Sequence, residues 1–493
     1  GSNSSSRRNS PNATTTVKIE GGTIKTAKGG KGFGSYDAGD GIHSDGTLTI
    51  PGTATIVSAI GGNGDSSQSS SKAGHGIYSK GDLTISGGTI GSWKADGTPD
   101  TDTGAFGGNT TAGAKGGDGI HSDGTINITS GEIVNAKGGE GTGTGGHGIY
   151  GNSTLTTETG SKIGIAQGGD ATGSYGIGGS GIRSAGTLNI SGGEIQKTVG
   201  GTATGTGGTG GASIRSGGSL TISGRAFIQN AKGGDSNAGT GGNGIYSGGT
   251  LTIKDRSKIE KAQGGSGKTT GGAGIYSNGG LSIEGGTIGK WKTDRDGKPI
   301  YDSKNKIPDT DTGALGGTAE AGAKGGDGIH SEGEIDITGG EIVNAKGGEG
   351  KASGSSSYVS HGIYSGDALT IEGDAKIGNA QGGNGKNYGG AGIYSIRDLN
   401  ISGKAFIQNA KGGDSGKGGN SEKRGGVGIC SAGTLTISGE AKIGKAQGGD
   451  GGGGTGGTGI FSADKLTVSK KATINNATGG SGIHGGTGIL GST

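Results

Sequence analysis

The chain of 493 residues contains no methionine, one cysteine (Cys430), five prolines, five phenylalanines and two tryptophans. Each shortage excludes something. A single cysteine rules out an intramolecular disulfide and a cysteine metal cluster, and such low usage suits a bacterial surface protein. No apolar run approaches the roughly 18 residues of a membrane span, and no signal-peptide pattern is read at the start, so membrane insertion is not expected within this stretch. Lysine plus arginine (44) nearly balances aspartate plus glutamate (41). The two signs are interspersed, without a basic stripe, so nucleic acid is not an expected partner. Hydrophobic residues reach only 26% and aromatics 4%, figures that on their own describe a disordered chain.

Periodicity overrules that composition. Glycine supplies 132 residues without a collagen-type triplet, and the few isoleucines, leucines and alanines fall at fixed places among it. The unit is clearest in Gly244 to Gly265, GIYSGGTLTIKDRSKIEKAQGG. Its apolar positions are Ile245, Leu251, Ile253, Ile259 and Ala262, with period-two alternation in Leu251 and Ile253 that marks a half-buried strand. Three short strands joined by turns make one coil of a parallel β-solenoid, which buries its apolar face only by stacking on neighbouring coils.

The G-I-x-S anchor recurs at Ile42, Ile77, Ile120, Ile149, Ile182, Ile214, Ile245, Ile275, Ile329, Ile363, Ile393, Ile429 and Ile460, and Ile483 is read as opening a truncated last turn. The rest of each unit is a Gly-rich connection such as Gly138 to Gly146, able to lie extended beside its neighbours because glycine permits close backbone approach. Residues 1–12 read as a tag scar and flexible lead-in, and residues 13–493 as one β-helix domain with inserts at about 91–117 and 289–326. Blocks of several coils are duplicated: GAKGGDGIHSDG (113–124) returns as GAKGGDGIHSEG (322–333), and GEIVNAKGGEG (131–141) recurs unchanged at 340–350.

GTLTISGG followed by Ile, two residues, Ala and a Gly-rich loop resembles the Gly-rich β-helix repeats of surface proteins from Gram-positive bacteria, within the pectate-lyase-like superfamily. The likeness runs from about residue 15 to 490. With the resemblance, the expected fold is an all-β, right-handed parallel β-helix; the recurring anchors give about 13 coils, and the strand spacing a length of roughly 60 Å. The resemblance fixes no activity, because that superfamily hosts lyases, hydrolases, adhesins and phage spikes.

Three features have chemistry to offer. The residue after each anchor isoleucine is expected to face outward and to form a ladder: His43, Tyr78, His121, Tyr150, Arg183, Arg215, Tyr246, Tyr276, His330, Tyr364, Tyr394, Cys430 and Phe461. Its aromatic members would either stack on one another or offer a platform to sugar rings, and Cys430 is read as an exposed rung. The inserts carry the only tryptophans, Trp93 and Trp291, and a D-x-D-x-G run each, Asp100 and Asp102 in the first and Asp309 and Asp311 in the second. These read first as solvated loop acids capping a tryptophan that covers the core, and alternatively as a Ca²⁺ site, since alternating acids around a turn suit that ion; no other cofactor is expected. Third, G-H-G occurs at His75 and His147. β-Helix polygalacturonases also carry G-H-G, but beside paired aspartates, and no Asp-Asp occurs here, so His75 and His147 read as a variable turn position.

No single copy of the unit stands apart, whereas an enzyme concentrates its chemistry in one constellation. The expected function is therefore non-enzymatic: a secreted or cell-surface adhesin or stalk segment of a larger surface protein, binding glycans or a host surface through its repeated face. The rival readings are a carbohydrate-active lyase or hydrolase, which inverting hydrolysis would build on two opposed carboxylates, and a phage tail fibre.

Overall fold

The computed structural model describes residues 16–65, 71–111, 115–302, 305–321, 324–351, 359–416 and 422–491; the lead-in expected at 1–12 lies outside these. The architecture is a parallel β-solenoid. The first strands of successive coils form one 14-stranded parallel sheet, and the second and third strands merge into a single 31-stranded sheet. Register is strict: Ile245 pairs with Ile275, Leu251 with Leu281 and Ile259 with Ile288. Like side chains therefore stack on like, and Ile245, Leu251, Ile253, Ile259 and Ala262 are all buried. Full burial of each aliphatic side chain contributes about 1.5–3 kcal/mol.

The serine that most coils carry in the anchor, replaced by Gly151 after Ile149, closes the first turn. Ser247 Oγ donates to the Thr250 carbonyl at 2.9 Å, and Ser277, Ser365 and Ser431 repeat this contact three residues on. The turn between second and third strands needs a residue in the left-handed region. Gly224 (φ 63°) supplies it cheaply and Asp255 holds the same place at φ 62°, while in the next coil Gly286 (φ 76°) supplies it one residue later.

Among the described residues the Gly-rich connection has a job of its own. Its outgoing and returning arms pack glycine on glycine and are joined by a hydrogen-bond zigzag along the rod. Gly139 N–H donates to the Gly117 carbonyl, Gly146 to Gly139, Gly169 to Gly146 and Gly179 to Gly169, at 2.7–2.8 Å. A Cβ on Gly146 would lie 1.9 Å from the Gly117 carbonyl oxygen. Glycine is thus required by the close approach of coils, and the zigzag satisfies backbone groups that a solvent-exposed loop would leave to water.

The last coil differs from expectation. The fourteenth first strand is Ile489–Gly491, pairing Ile489 with Ile460; Ile483 is 70% exposed and outside any strand. The reason is length. A connection must run out and back, as from Ala262 to Ile275, and Ala477 to Ile483 is about half that span.

Candidate functional site

The ladder exists and is in register, as in Tyr246 on Tyr276 and Tyr276 on His330. It is split by chemistry. One aromatic run covers His43, Tyr78, His121 and Tyr150; a second covers Tyr246, Tyr276, His330, Tyr364 and Tyr394; Arg183 and Arg215 stand between them. In the second run the rings lie face to face, Tyr246 on Tyr276 at 5.4 Å and 6°, Tyr276 on His330 at 4.8 Å and 8°, Tyr364 on Tyr394 at 5.7 Å and 8°. Ring faces are consumed by neighbouring rings, so the solvent side offers edges and phenol hydroxyls. His43 is exposed and the tyrosines are half-buried, but His121 and His330 are each only 8% exposed. Cys430, expected to be exposed, is 7% exposed, and burial pushes its thiol up to about 12. It lies in the rung above Tyr394, where the small thiol is covered by its neighbours.

A second row runs beside the ladder, three residues before each rung. His75 and His147 belong to it with Asp40, Asp118, Asp327 and His361, and the position is structural. Each side chain accepts the backbone N–H of the same position one coil on: Asp40 Oδ1 from His75 (2.6 Å), His75 Nδ1 from Asp118 (2.9 Å), Asp118 Oδ1 from His147 (2.5 Å) and His147 Nδ1 from Ser180 (2.8 Å). Asp327 and His361 do the same for His361 and Ala391.

The two rows meet at buried Asp118 and again at Asp327. Asp118 Oδ2 accepts from His121 Nδ1 at 2.6 Å and lies 3.0 Å from Lys115 Nζ; His121 Nε2 reaches Asp123 at 2.9 Å; the Tyr78 hydroxyl donates to Asp123 at 2.6 Å. In the duplicate, Asp327 pairs with His330 (2.7 Å) and Lys324 (3.6 Å), His330 with Glu332 (3.1 Å), and Tyr276 donates to Glu332 at 2.7 Å.

Five of the histidines fall into two classes by their shifts. His75 and His361 are lowered to about 4, chiefly by burial, and each spends Nδ1 as an acceptor. Burial also drives His147 well below the usual range. For His121, burial would lower the pKa, but the hydrogen bonds to Asp118 and Asp123 outweigh it and raise it; exposed His43 is raised through Asp40 and Asp45 in the same way. Burial would raise Asp327, yet its His330 hydrogen bond and Lys324 hold it down at about 2.

Among the described residues, His75, Asp118 and His121 are the one group of three or more His, Cys, Asp or Glu ligands able to converge on a metal, with donor atoms within 4.8 Å of one another. Those atoms are already engaged. A metal would have to displace Lys115 and the His121 N–H from Asp118 Oδ2.

The inserts interrupt the third strand between its isoleucine and alanine, leaving after Ile90 and Ile288 and returning at Gly104 and Gly313, earlier than the limits of 117 and 326 read from sequence. Trp93 and Trp291 lie half-buried on the sheet. Each reaches over a glycine of a later coil, Trp93 at Gly164 and Trp291 at Gly378, where a Cβ would sit 3.0 and 2.7 Å from the indole. Lys162 Nζ covers the Trp93 ring at 4.0 Å. Asp100 Oδ1 accepts the Asp102 N–H and Asp309 Oδ1 the Asp311 N–H, both at 3.1 Å. These pairs close turns, and a Ca²⁺ there would draw the rest of its six to eight oxygens from carbonyls and water. Buried Asn135 and Asn344 pin the inserts by donating to Thr103 and Thr312 carbonyls at 3.2 and 2.8 Å.

A groove of about 360 Å³ runs along the second ladder between Arg215 and Lys324, with Tyr246 and Tyr276 on one side and Thr209, Thr240 and Thr270 on the other. No protein-family model matches the sequence, no curated protein is similar to it, and no solved structure matches the chain.

Proposed function

We propose that the protein is a non-enzymatic stalk or adhesin segment of a bacterial cell surface, similar in kind to Gly-rich β-helix surface proteins, and that its repeated face binds glycans. The observation that carries this is the groove along Tyr246 and Tyr276. There hydroxyls from Thr209, Thr240 and Thr270 recur at the coil spacing of about 4.8 Å, opposite phenol edges, with Arg215 at one end and Lys324, paired with Asp327, and Glu332 at the other. A periodic row of donors suits a polymer, since individually weak contacts add along one chain. Stacked rings leave the faces unavailable, so recognition uses hydroxyls and ring edges.

The test is a glycan array with the wild-type chain and Tyr246→Ala/Tyr276→Ala. Binding that falls at least tenfold in the variant supports the reading, and absence of binding to any glycan reduces the protein to a spacer. Release of unsaturated products from polyuronates with added Ca²⁺ would replace this reading by a lyase, and trimerisation would favour a tail fibre.

A further inference from the structure

Each histidine rung of the ladder carries its own counter-charges. A carboxylate stands three residues before it and another two residues after: Asp40 and Asp45 for His43, Asp118 and Asp123 for His121, Asp327 and Glu332 for His330. The two arginine rungs are built on the same backbone without them. The equivalent positions are Ser180 and Ala185 for Arg183, and Ala212 and Gly217 for Arg215.

The arginines are nevertheless adjacent, Arg183 paired with Arg215 in register, an arrangement that costs free energy when like charges stand opposite. Tyrosine faces hold them from either side, Arg183 over Tyr150 at 5.4 Å and Arg215 over Tyr246 at 4.8 Å. Among the described residues, neither has an acceptor to match its charge. The Nε of both is buried without a hydrogen-bond partner. Arg183 Nη1 lies 3.0 Å from His147 Nε2, but His147 Nδ1 already accepts the Ser180 N–H. The hydrogen of the neutral ring is therefore on Nε2, and donor faces donor. Burial, with Arg183 next to it, lowers the pKa of Arg215.

We infer that Arg183 and Arg215 form a clamp for an oxyanion with three or more acceptor oxygens, a sulfate or phosphate group, carried by a polymer or free in solution. One guanidinium fork already saturates the two oxygens of a carboxylate; two forks on adjacent rungs ask for more. Arg215 also lines the groove beside Tyr246, so a sulfated glycan lying there would place a substituent at the clamp. That polymer form rests on the glycan reading; the clamp itself does not.

The experiment compares dextran sulfate with unmodified dextran, and sodium sulfate with sodium chloride at matched ionic strength. The proteins are wild type, Arg183→Gln/Arg215→Gln, Arg183→Lys/Arg215→Lys and, as a control for charge alone, the exposed Arg225→Gln. Circular dichroism verifies folding; the lysine pair retains charge should the glutamine pair fail to fold. Expected results are at least tenfold weaker dextran sulfate binding in both paired variants, unchanged binding in Arg225→Gln, and sulfate-specific movement of the Arg183 and Arg215 Nε–H resonances. Response to free sulfate alone assigns the clamp to a free ion. If dextran sulfate and free sulfate are both indifferent to the paired variants, the clamp is overturned, and a glycan array still positive at the tyrosine face leaves the glycan reading standing. An empty glycan array with a sulfate response that needs the arginines does the reverse.

Discussion

The coils around His121 and those around His330 arose from one duplicated block, yet their ladders pack differently. Around His330 the rings are near-parallel, with angles of 8° to Tyr276 and 18° to Tyr364. Around His121 they tilt, 36° to Tyr78 and 49° to Tyr150. The clearest difference beside them is one side chain in the second row, the capping row whose side chains accept the next coil's N–H. His75 in the first copy contacts both Tyr78 (5.4 Å) and His121 (4.3 Å), whereas the second copy has Ala273 at that position. The small residue leaves a straight stack and also helps to line the groove beside Tyr246 and Tyr276. The duplicated block thus shows how a change outside the ladder alters what the ladder presents.

The largest expected effect tests what both copies share. Asp118→Ala or Asp327→Ala removes a carboxylate that is 0% or 2% exposed and leaves an imidazole, a lysine and a backbone N–H without their partner. Each should cost about 3–5 kcal/mol, the usual penalty for breaking a buried charge pair. Because a solenoid unfolds in local units, the measurement is amide hydrogen exchange. Protection should fall first at His147 for Asp118→Ala and at His361 for Asp327→Ala. Loss confined to solvent-facing loops would show that the capping row does not hold the coils together.

Next in size are Gly164→Ala and Gly378→Ala, which place a methyl under Trp93 and Trp291. Overpacking of this kind costs about 1–3 kcal/mol. Each methyl also meets a backbone carbonyl, Val134 O at 2.5 Å or Val343 O at 2.6 Å, so the two should destabilise alike, while the indole signal should move more in Gly378→Ala, where the ring is closer (2.7 against 3.0 Å). Tryptophan fluorescence together with melting temperature reads both. A tryptophan signal unmoved in both variants would mean that the inserts ride loosely over the sheet.

How much of this was legible follows from the same residues. Strand period, anchors and inserts were readable because burial imposes a fixed spacing on Ile, Leu and Ala. The capping row was not, because position 75 tolerates His, Asp, Ser, Asn or Ala around the rod and so looks variable. Where the position carries Asp, His or Asn the side chain accepts the next coil's N–H, and the pattern D-G-I-H-S-D/E at 118–123 and 327–332 was the available signal. The false anchor at Ile483 matched the local motif and failed only on the length of the connection. Ring-on-ring stacking could be expected, but the charge state of each histidine depends on which nitrogen its neighbours occupy.

The third prediction separates the copies by pH. His75, His147 and His361 are neutral in the fold with lowered pKa values, so their contribution is complete above the unfolded value of about 6.5 and is lost as pH falls through the folded values. The window runs from about 6.5 to about 4 for His75 and His361. His121 has the opposite sign, its contribution being complete below the unfolded value and lost as pH rises through its raised one. The first copy holds two neutral histidines and the second holds one. His75→Ala should therefore melt below wild type at pH 7, through loss of the acceptor for Asp118 N–H at about 1–3 kcal/mol, and the gap should close toward pH 4. A gap constant across that range would deny His75 its neutral state.

The smallest effect comes from Tyr78→Phe and Tyr276→Phe. Each deletes a phenol O–H that donates to the carboxylate bracing a histidine rung, Asp123 or Glu332, while leaving the ring stack intact. The cost should be about 0.5–1.5 kcal/mol, the net worth of one hydrogen bond, and toward the low end because both carboxylates are largely solvent-accessible. A sharper readout is the carboxylate itself. For Glu332 the Tyr276 hydrogen bond is the leading cause of its lowered pKa, so Tyr276→Phe should raise it. For Asp123, burial raises the pKa while Tyr78 and His121 lower it, so Tyr78→Phe should raise it too. Side-chain carboxyl NMR across the acid range checks both. An unmoved Glu332 would show that His330 alone sets its charge, and that the tyrosine rungs contribute through their rings.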